Sequence, residues 1–342
     1  MFAKRTLQNR RLARRLFAAA MLLAVVRCQE FALADQGPGR TEPDHSTQAK
    51  EVEPRGWSLV RAVLQAGGVS AAQSRQSGNE FRSFADQLRE SGQVGGDEIQ
   101  QARAIHRFVH GQILRGKYEK SGSDLAAALA GGPFNCAAAS VLFLALAADF
   151  DLKARAVAVP GHVWCRVASH QQPFDVETTC RNWFELVARD PADVTAELKQ
   201  FLAERDRRST RARTLDQPAL IAIFHYNQGV RLLKDRQYSA AVTANLRALE
   251  LDPRCVPAYD NLLATINNWS LSLAVQGERE LGLDLVEMGL ALAGDYEPFR
   301  VNYRYLSRPQ AVADRAQESS REHVFSPHSG GIQGRVLTMP GL

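Results

Sequence analysis

From Gly56 to Leu114 the apolar residues recur at intervals of three and four. The segments WSLVRAVLQAG, FRSFADQLRE and DEIQQARAIHRFVHGQI therefore predict amphipathic helices. Asp97 and Glu98 open the last of these, where acids suit the positive end of a helix. The polar stretch GKYEKSGSDL is a turn, with Ser123 or Asp124 placed to cap the short helix DLAAALAG. A Gly-Gly-Pro break then precedes CAAASVLFLALAA, a continuous apolar block opened by Cys136 and closed by Asp149-Phe150-Asp151. A helix that is apolar all round is a buried one. After it the period falls to two. KARAVAVP alternates, HVWCRVAS alternates again, SHQQP turns, and FDVETT reads as a third strand. Helices followed by a small antiparallel sheet make an α+β domain.

The helical period returns near Pro218, a residue type suited to the first turn of a helix. HYNQGVRLLKDRQYSAAVTANLRALELDP carries small residues at Gly229, Ala241 and Ala248, large apolar ones at Leu232 and Tyr238, and Pro253 after Asp252. That pattern resembles a tetratricopeptide repeat, two antiparallel helices touching through small positions. VPAYDNLLATINNW opens a second, longer repeat that ends near Pro298. The domain plan is a signal at 1–34, a polar leader at 35–55 and a mixed domain at 56–190. A charged linker at 191–217, helical repeats at 218–306 and a polar tail at 307–342 complete it.

Charge changes how the ends are read. Residues 1–34 combine Lys4, Arg5, Arg10, Arg11, Arg14 and Arg15 with an apolar stretch Leu16–Val26 and the site Ala32-Leu33-Ala34. This is the layout of an export signal, giving a periplasmic or secreted protein. The apolar stretch is shorter than the roughly 20 residues of a membrane span, so a membrane enters only if the segment is kept as an anchor. The first 34 residues carry a net +6 and the whole chain +5, so the remainder is close to −1. The basicity belongs to the signal, which argues against a nucleic-acid partner. In an exported chain Cys165 and Cys180, flanking the predicted hairpin, are placed for a disulfide. No CxxC or HExxH spacing occurs, and no metal or cofactor is expected.

The chemistry gathers in one segment. Cys136 stands at the start of a helix, where the positive end favours a thiolate and first-turn N–H groups can bind an oxyanion. His162 follows Val159-Pro160-Gly161 at the head of a strand, and Asp175 and Glu177 lie two apart on the next. Two residues apart on a strand means one shared face, so either acid can orient the histidine. Thiol, imidazole and carboxylate are the parts of a cysteine nucleophile site. His106 and His110, four apart on a helix, read as surface or core polar residues.

FNCAAASVLFLALAADFDLKARAVAVPGHVWCRV followed by DVETT resembles the transglutaminase-like superfamily, the papain-related cysteine fold, over roughly residues 95–190. In that family a cysteine opens the central helix, a helix-to-strand segment ending in Ala-Arg follows, then a His-Ala/Val-Trp strand, then Asp-Pro-Thr. Here those places hold Cys136, Leu152–Arg155, His162-Val163-Trp164 and Glu177-Thr178-Thr179. The resemblance implies Cys136 as nucleophile and His162 as base. It favours Glu177 as the third member through the match of Thr179, with Asp175 as the other choice. It also implies a cysteine hydrolase or peptidase, or a transamidase, acting on a peptide or protein substrate. The repeats then supply a protein-binding surface. The competing expectation is a non-catalytic interaction protein that binds partners through the repeats on an inactive shell.

Overall fold

A computed structural model of the chain describes residues 53–188 and 212–308. The signal, most of the leader and linker, and the tail lie outside those residues. The fold is mixed α+β, mostly helical, with one small antiparallel sheet. The chain divides into two compact units. One runs to Gln228 and includes Arg247–Cys255; the other holds Gly229–Leu246 and the residues from Val256.

The first unit opens with α1 (Trp57–Ala66), α2 (Ala71–Glu90) and α3 (Glu98–Phe108). Ser70 and Asp97 form capping boxes with Gln73 and Gln100, satisfying the first N–H groups of α2 and α3. A π-helical turn, Val109–Ile113, extends α3. The short α4 (Leu125–Leu129) is capped by Asp124, whose carboxylate accepts from the N–H groups of Ala126 and Ala127. Then comes α5 (Cys136–Asp149), buried from Cys136 through Phe143 and again at Ala145–Ala147. Its sequence carries no polar face, so it can exist only with neighbours on every side, and it packs on α1, α3 and two strands.

The sheet has the order β3-β2-β1-β4, with β1 Ala154–Val159, β2 His162–Val167, β3 Phe174–Val176 and β4 Arg213–Leu215. Pro160 and Gly161 close the β1–β2 hairpin; Gly161 has φ +86°, which suits the second central residue of a type II turn. Three findings differ from the sequence reading. The third strand stops at Val176 instead of running to Thr179. The stretch read as linker supplies β4, which pairs with β1 at Ala156–Leu215 and is joined to the rest of its unit by Arg213 on Asp252. Cys165 and Cys180 are free thiols, with Cys165 turned toward the Ser140 carbonyl of α5 at 3.7 Å.

After α6 (Trp183–Val187), α7 (Gln217–Lys234) begins in the first unit, where Ala219, Leu220 and Phe224 join the main core. The division between units therefore falls inside α7, between Gln228 and Gly229. The second unit continues through the start of α8 (Tyr238–Leu251), whose residues from Arg247 belong to the first unit, and then α9 (Val256–Val275), α10 (Arg279–Leu292) and α11 (Glu297–Leu306), with α10 packed on both α9 and α11. Gly229 approaches Asn245 so closely that a Cβ would stand 2.6 Å from its side chain. Leu233, Ala241 and Ala264 form its core, with Tyr238 against them and stacked on Trp269. Among the described residues no helix is long and apolar enough to cross a membrane.

Candidate functional site

Asn135 sets the position of Cys136. Its side-chain oxygen accepts from the N–H of Ala138 at 3.1 Å, and its amide donates to the Lys120 carbonyl at 3.3 Å. Cys136 is then the first residue of α5, where a backbone N–H has no partner within the helix. The thiol residue is 9% exposed, buried but at the edge of solvent.

His162 is the first residue of β2, delivered there by the Pro160–Gly161 turn. Its ring stacks near Trp164, with centroids 6.0 Å apart. Nε2 donates to the Glu177 carboxylate at 2.7 Å. The edge left to Cys136 carries Nδ1, which is buried and has no partner in hydrogen-bonding geometry. The thiol nonetheless acts on this ring. Both facts hold if sulfur stands beside Nδ1 without an aligned bond. Burial alone would lower the His162 pKa. Cys136 and Glu177 outweigh it and raise the group to about 10.

Glu177 is buried just past the end of β3. One carboxylate oxygen takes the His162 ring; the other accepts from the hydroxyl of Thr179 at 2.6 Å and its N–H at 3.2 Å. Burial pushes this carboxyl up, but His162 and Thr179 hold it below the ordinary carboxylate range. Asp175 goes elsewhere. It pairs with Arg166 across the β2–β3 ladder through bonds of 2.6 and 3.0 Å. Both acids lie on the sheet face of His162 and Arg166, but Asp175 stands opposite Arg166, four residues along β2 from His162, and only Glu177 reaches the ring.

A cleft of about 750 Å³ opens on the Asp175 side, lined by Arg103, Arg166, Phe174, Trp183 and Phe184 among others. Cys136, His162 and Glu177 are not in its lining, so any approach to the thiol lies outside this cleft.

Tyr118 is likewise outside that lining and has no signal in the sequence pattern. Gly116 lies so close to the Gly132 carbonyl that a Cβ there would sit 2.0 Å from it. This contact lets the 117–119 segment pair with Phe134, two residues before Cys136, through Glu119 N–H to Phe134 O and Phe134 N–H to Lys117 O. The Tyr118 ring meets Phe134 edge-on while 44% of the residue stays exposed. Its hydroxyl interacts with Cys136. Burial, reinforced by charge on Cys136 and Glu177, raises it to about 12, which keeps it a neutral O–H donor.

Among the described residues no group of three His, Cys, Asp or Glu side chains is placed to hold a metal ion. Compared with known proteins, the chain matches no family model, no curated protein and no solved structure.

Proposed function

We propose that this chain is an exported cysteine enzyme of the transglutaminase-like, papain-related type that cleaves or exchanges an amide bond through an acyl-enzyme. One observation carries the reading: Cys136 opens a capped, buried helix beside a histidine whose far nitrogen is held by a buried carboxylate. A helix start, an imidazolium and an anchoring acid are what a nucleophilic thiolate needs.

The reaction follows from these positions. The Cys136 thiolate attacks the carbonyl carbon, and the carbonyl oxygen becomes an oxyanion. The N–H at the start of α5 and the Tyr118 hydroxyl are the donors at hand to stabilise it. His162 gives its proton to the leaving amine, the carbon–nitrogen bond breaks, and a thioester to Cys136 remains. The neutral imidazole then takes a proton from water or from an amine as that group attacks the thioester. The product acid or new amide departs, leaving thiolate and imidazolium. Glu177 holds the ring throughout by accepting from Nε2. The helices of the second unit are read as tetratricopeptide-like repeats that bring a protein partner or substrate to the site.

A thiol-directed probe tests this. The intact protein should label at Cys136, and Cys136→Ala should lose that label while keeping its fold. Equal labelling of both forms, or labelling of neither, would leave the non-catalytic binding reading in its place.

A further inference from the structure

The turn that carries Glu177 lies past the end of β3 and is closed by one backbone bond, Cys180 N–H to the Glu177 carbonyl at 3.2 Å, so contacts beyond the sheet must fix its place. Thr178 is fixed at two points. Its hydroxyl meets Ser140 Oγ of α5 at 2.9 Å, and its carbonyl meets His110 Nε2 at 3.0 Å. His110 sits on the π-helical turn, and its own carbonyl accepts from Arg181 at 2.8 Å on the far side of the same turn. His106 lies one helical turn earlier with its ring 4.6 Å from that of His110, and Phe184 closes on it edge-first at 5.4 Å. Both histidines are under 5% exposed. The carbonyls of Glu177 and Cys180 act on the His106 ring, although its Nε2 makes no aligned hydrogen bond. Two imidazoles thus lie behind the acid turn, against a row of its main-chain carbonyls.

Resting on the cysteine-enzyme reading above, we propose that His106 and His110 are positioning residues that hold the Glu177–Cys180 turn so that the Glu177 carboxylate meets His162. A neutral His110 with its proton on Nε2 donates to the Thr178 carbonyl and fixes the residue between Glu177 and Thr179. Without that donor the carbonyl is buried and unsatisfied, and the turn must shift to find another partner. Any shift moves both Glu177 oxygens, and catalytic geometry tolerates displacements well below an ångström poorly. The state of the pair fits this role. Burial lowers both pKa values, for His106 to about 4 with His110 adding to the effect, so both rings are neutral near neutral pH. The charges facing His110 are Arg181, which lowers it, and Glu177, which raises it.

A packing role and a positioning role are separated by chemistry at constant size. In the full-length protein, His110→Leu keeps bulk and loses the donor, while His110→Gln places an amide N–H where Nε2–H was. The readouts are the Cys136-dependent ultraviolet absorbance of the thiolate across pH and the rate of Cys136 alkylation, with Cys136→Ala as blank. His110→Leu should alkylate about tenfold more slowly at mildly acidic pH, and His110→Gln should recover most of the loss. If Leu and Gln behave as wild type, or lose activity equally while folded, the positioning role is overturned. A second measurement needs no variant. Imidazole nitrogen shifts of the wild type should show His110 neutral and protonated at Nε2, and a His110 that is charged or protonated at Nδ1 overturns the proposal. A wild type with no Cys136-dependent thiolate signal would instead overturn the cysteine-enzyme reading itself, and this proposal with it.

Discussion

Two buried imidazole environments lie on either side of Glu177, and they titrate in opposite directions. His162 touches the Glu177 carboxylate and is raised to about 10; His106 lies against the backbone of the same turn and falls to about 4. Burial opposes the charged form in both. What differs is the partner. His162 meets a carboxylate and a thiol, whereas His106 meets another histidine, an aromatic edge and backbone carbonyls. A carbonyl dipole does not repay the loss of hydration that a full counter-charge repays. In the proposed reading the same side chain is the cationic half of a nucleophile pair in one place and a neutral brace in the other.

The comparison breaks most severely if the counter-charge is removed. Glu177→Gln keeps a hydrogen-bond acceptor but no charge, so burial should dominate at His162 and bring its pKa down by several units. In the wild type the raised group contributes stability fully below its unfolded value of 6.5, lost as pH rises through about 10. Glu177 has the opposite sign: its contribution is present above its unfolded value of 4.5 and is lost as pH falls through its lower folded value. The variant should alkylate at Cys136 about 100-fold more slowly near neutral pH. A proton-NMR titration that leaves His162 where it was would remove Glu177 from the site.

The brace has its own pH signature. The folded pKa of His106 is about 4 against 6.5 unfolded, so between those values the unfolded chain holds the extra proton and stability rises with pH. About 3 kcal/mol should be lost from His106 as pH falls across that window. His106→Leu should flatten the profile there. Urea melts at a series of pH values measure it, and an unchanged slope in the variant would mean that His106 is charged or solvated in the fold.

Tyr118→Phe is the next smaller change. The hydroxyl interacts with the Cys136 thiol, and 44% of the residue is exposed, so the fold should be insensitive to its loss. Amide-bond turnover should fall by about tenfold, less than the roughly 100-fold of a fully buried oxyanion donor because this ring is part-solvated, with the His162 titration little moved. A turnover equal to wild type would leave the helix N–H as the donor that matters.

How far these environments were legible in the chain depends on the range of the contact that makes them. Cys136 and His162 announce themselves locally, by a Gly-Gly-Pro break before an apolar run and by Pro-Gly before an alternating one. The β2–β3 pairing was legible too, but alternation in FDVETT reads on past Val176, where the backbone has already turned. Asp175 and Glu177 looked equivalent because spacing gives the shared face but not the register that sets Asp175 against Arg166. Three residues of β4 inside a charged stretch carry no period at all. The i, i+4 spacing of His106 and His110 is plain, but a polar residue on an amphipathic helix gives no sign of lying on the buried side. Tyr118 depends on one backbone approach, Gly116 on Gly132, and no pattern of hydrophobicity encodes that.

The smallest change sharpens the comparison by leaving it intact. Asp175→Asn removes the acid that spacing alone could not distinguish from Glu177. Its loss breaks the pair with Arg166, whose side chain is 40% exposed. A partly solvated pair contributes about 0.5 kcal/mol, because water already screens much of the attraction. The His162 titration and the Cys136 alkylation rate should stay at wild-type values, since both Asp175 oxygens are taken by Arg166, four residues along β2 from His162. Stability should drop by no more than that small amount in a urea melt. A His162 pKa that falls in Asp175→Asn as far as in Glu177→Gln would mean that β3 slips along β2 in solution and brings Asp175 to the ring. A null result places the functional divide in the β2–β3 register, which sets Asp175 against Arg166 and leaves Glu177 to His162.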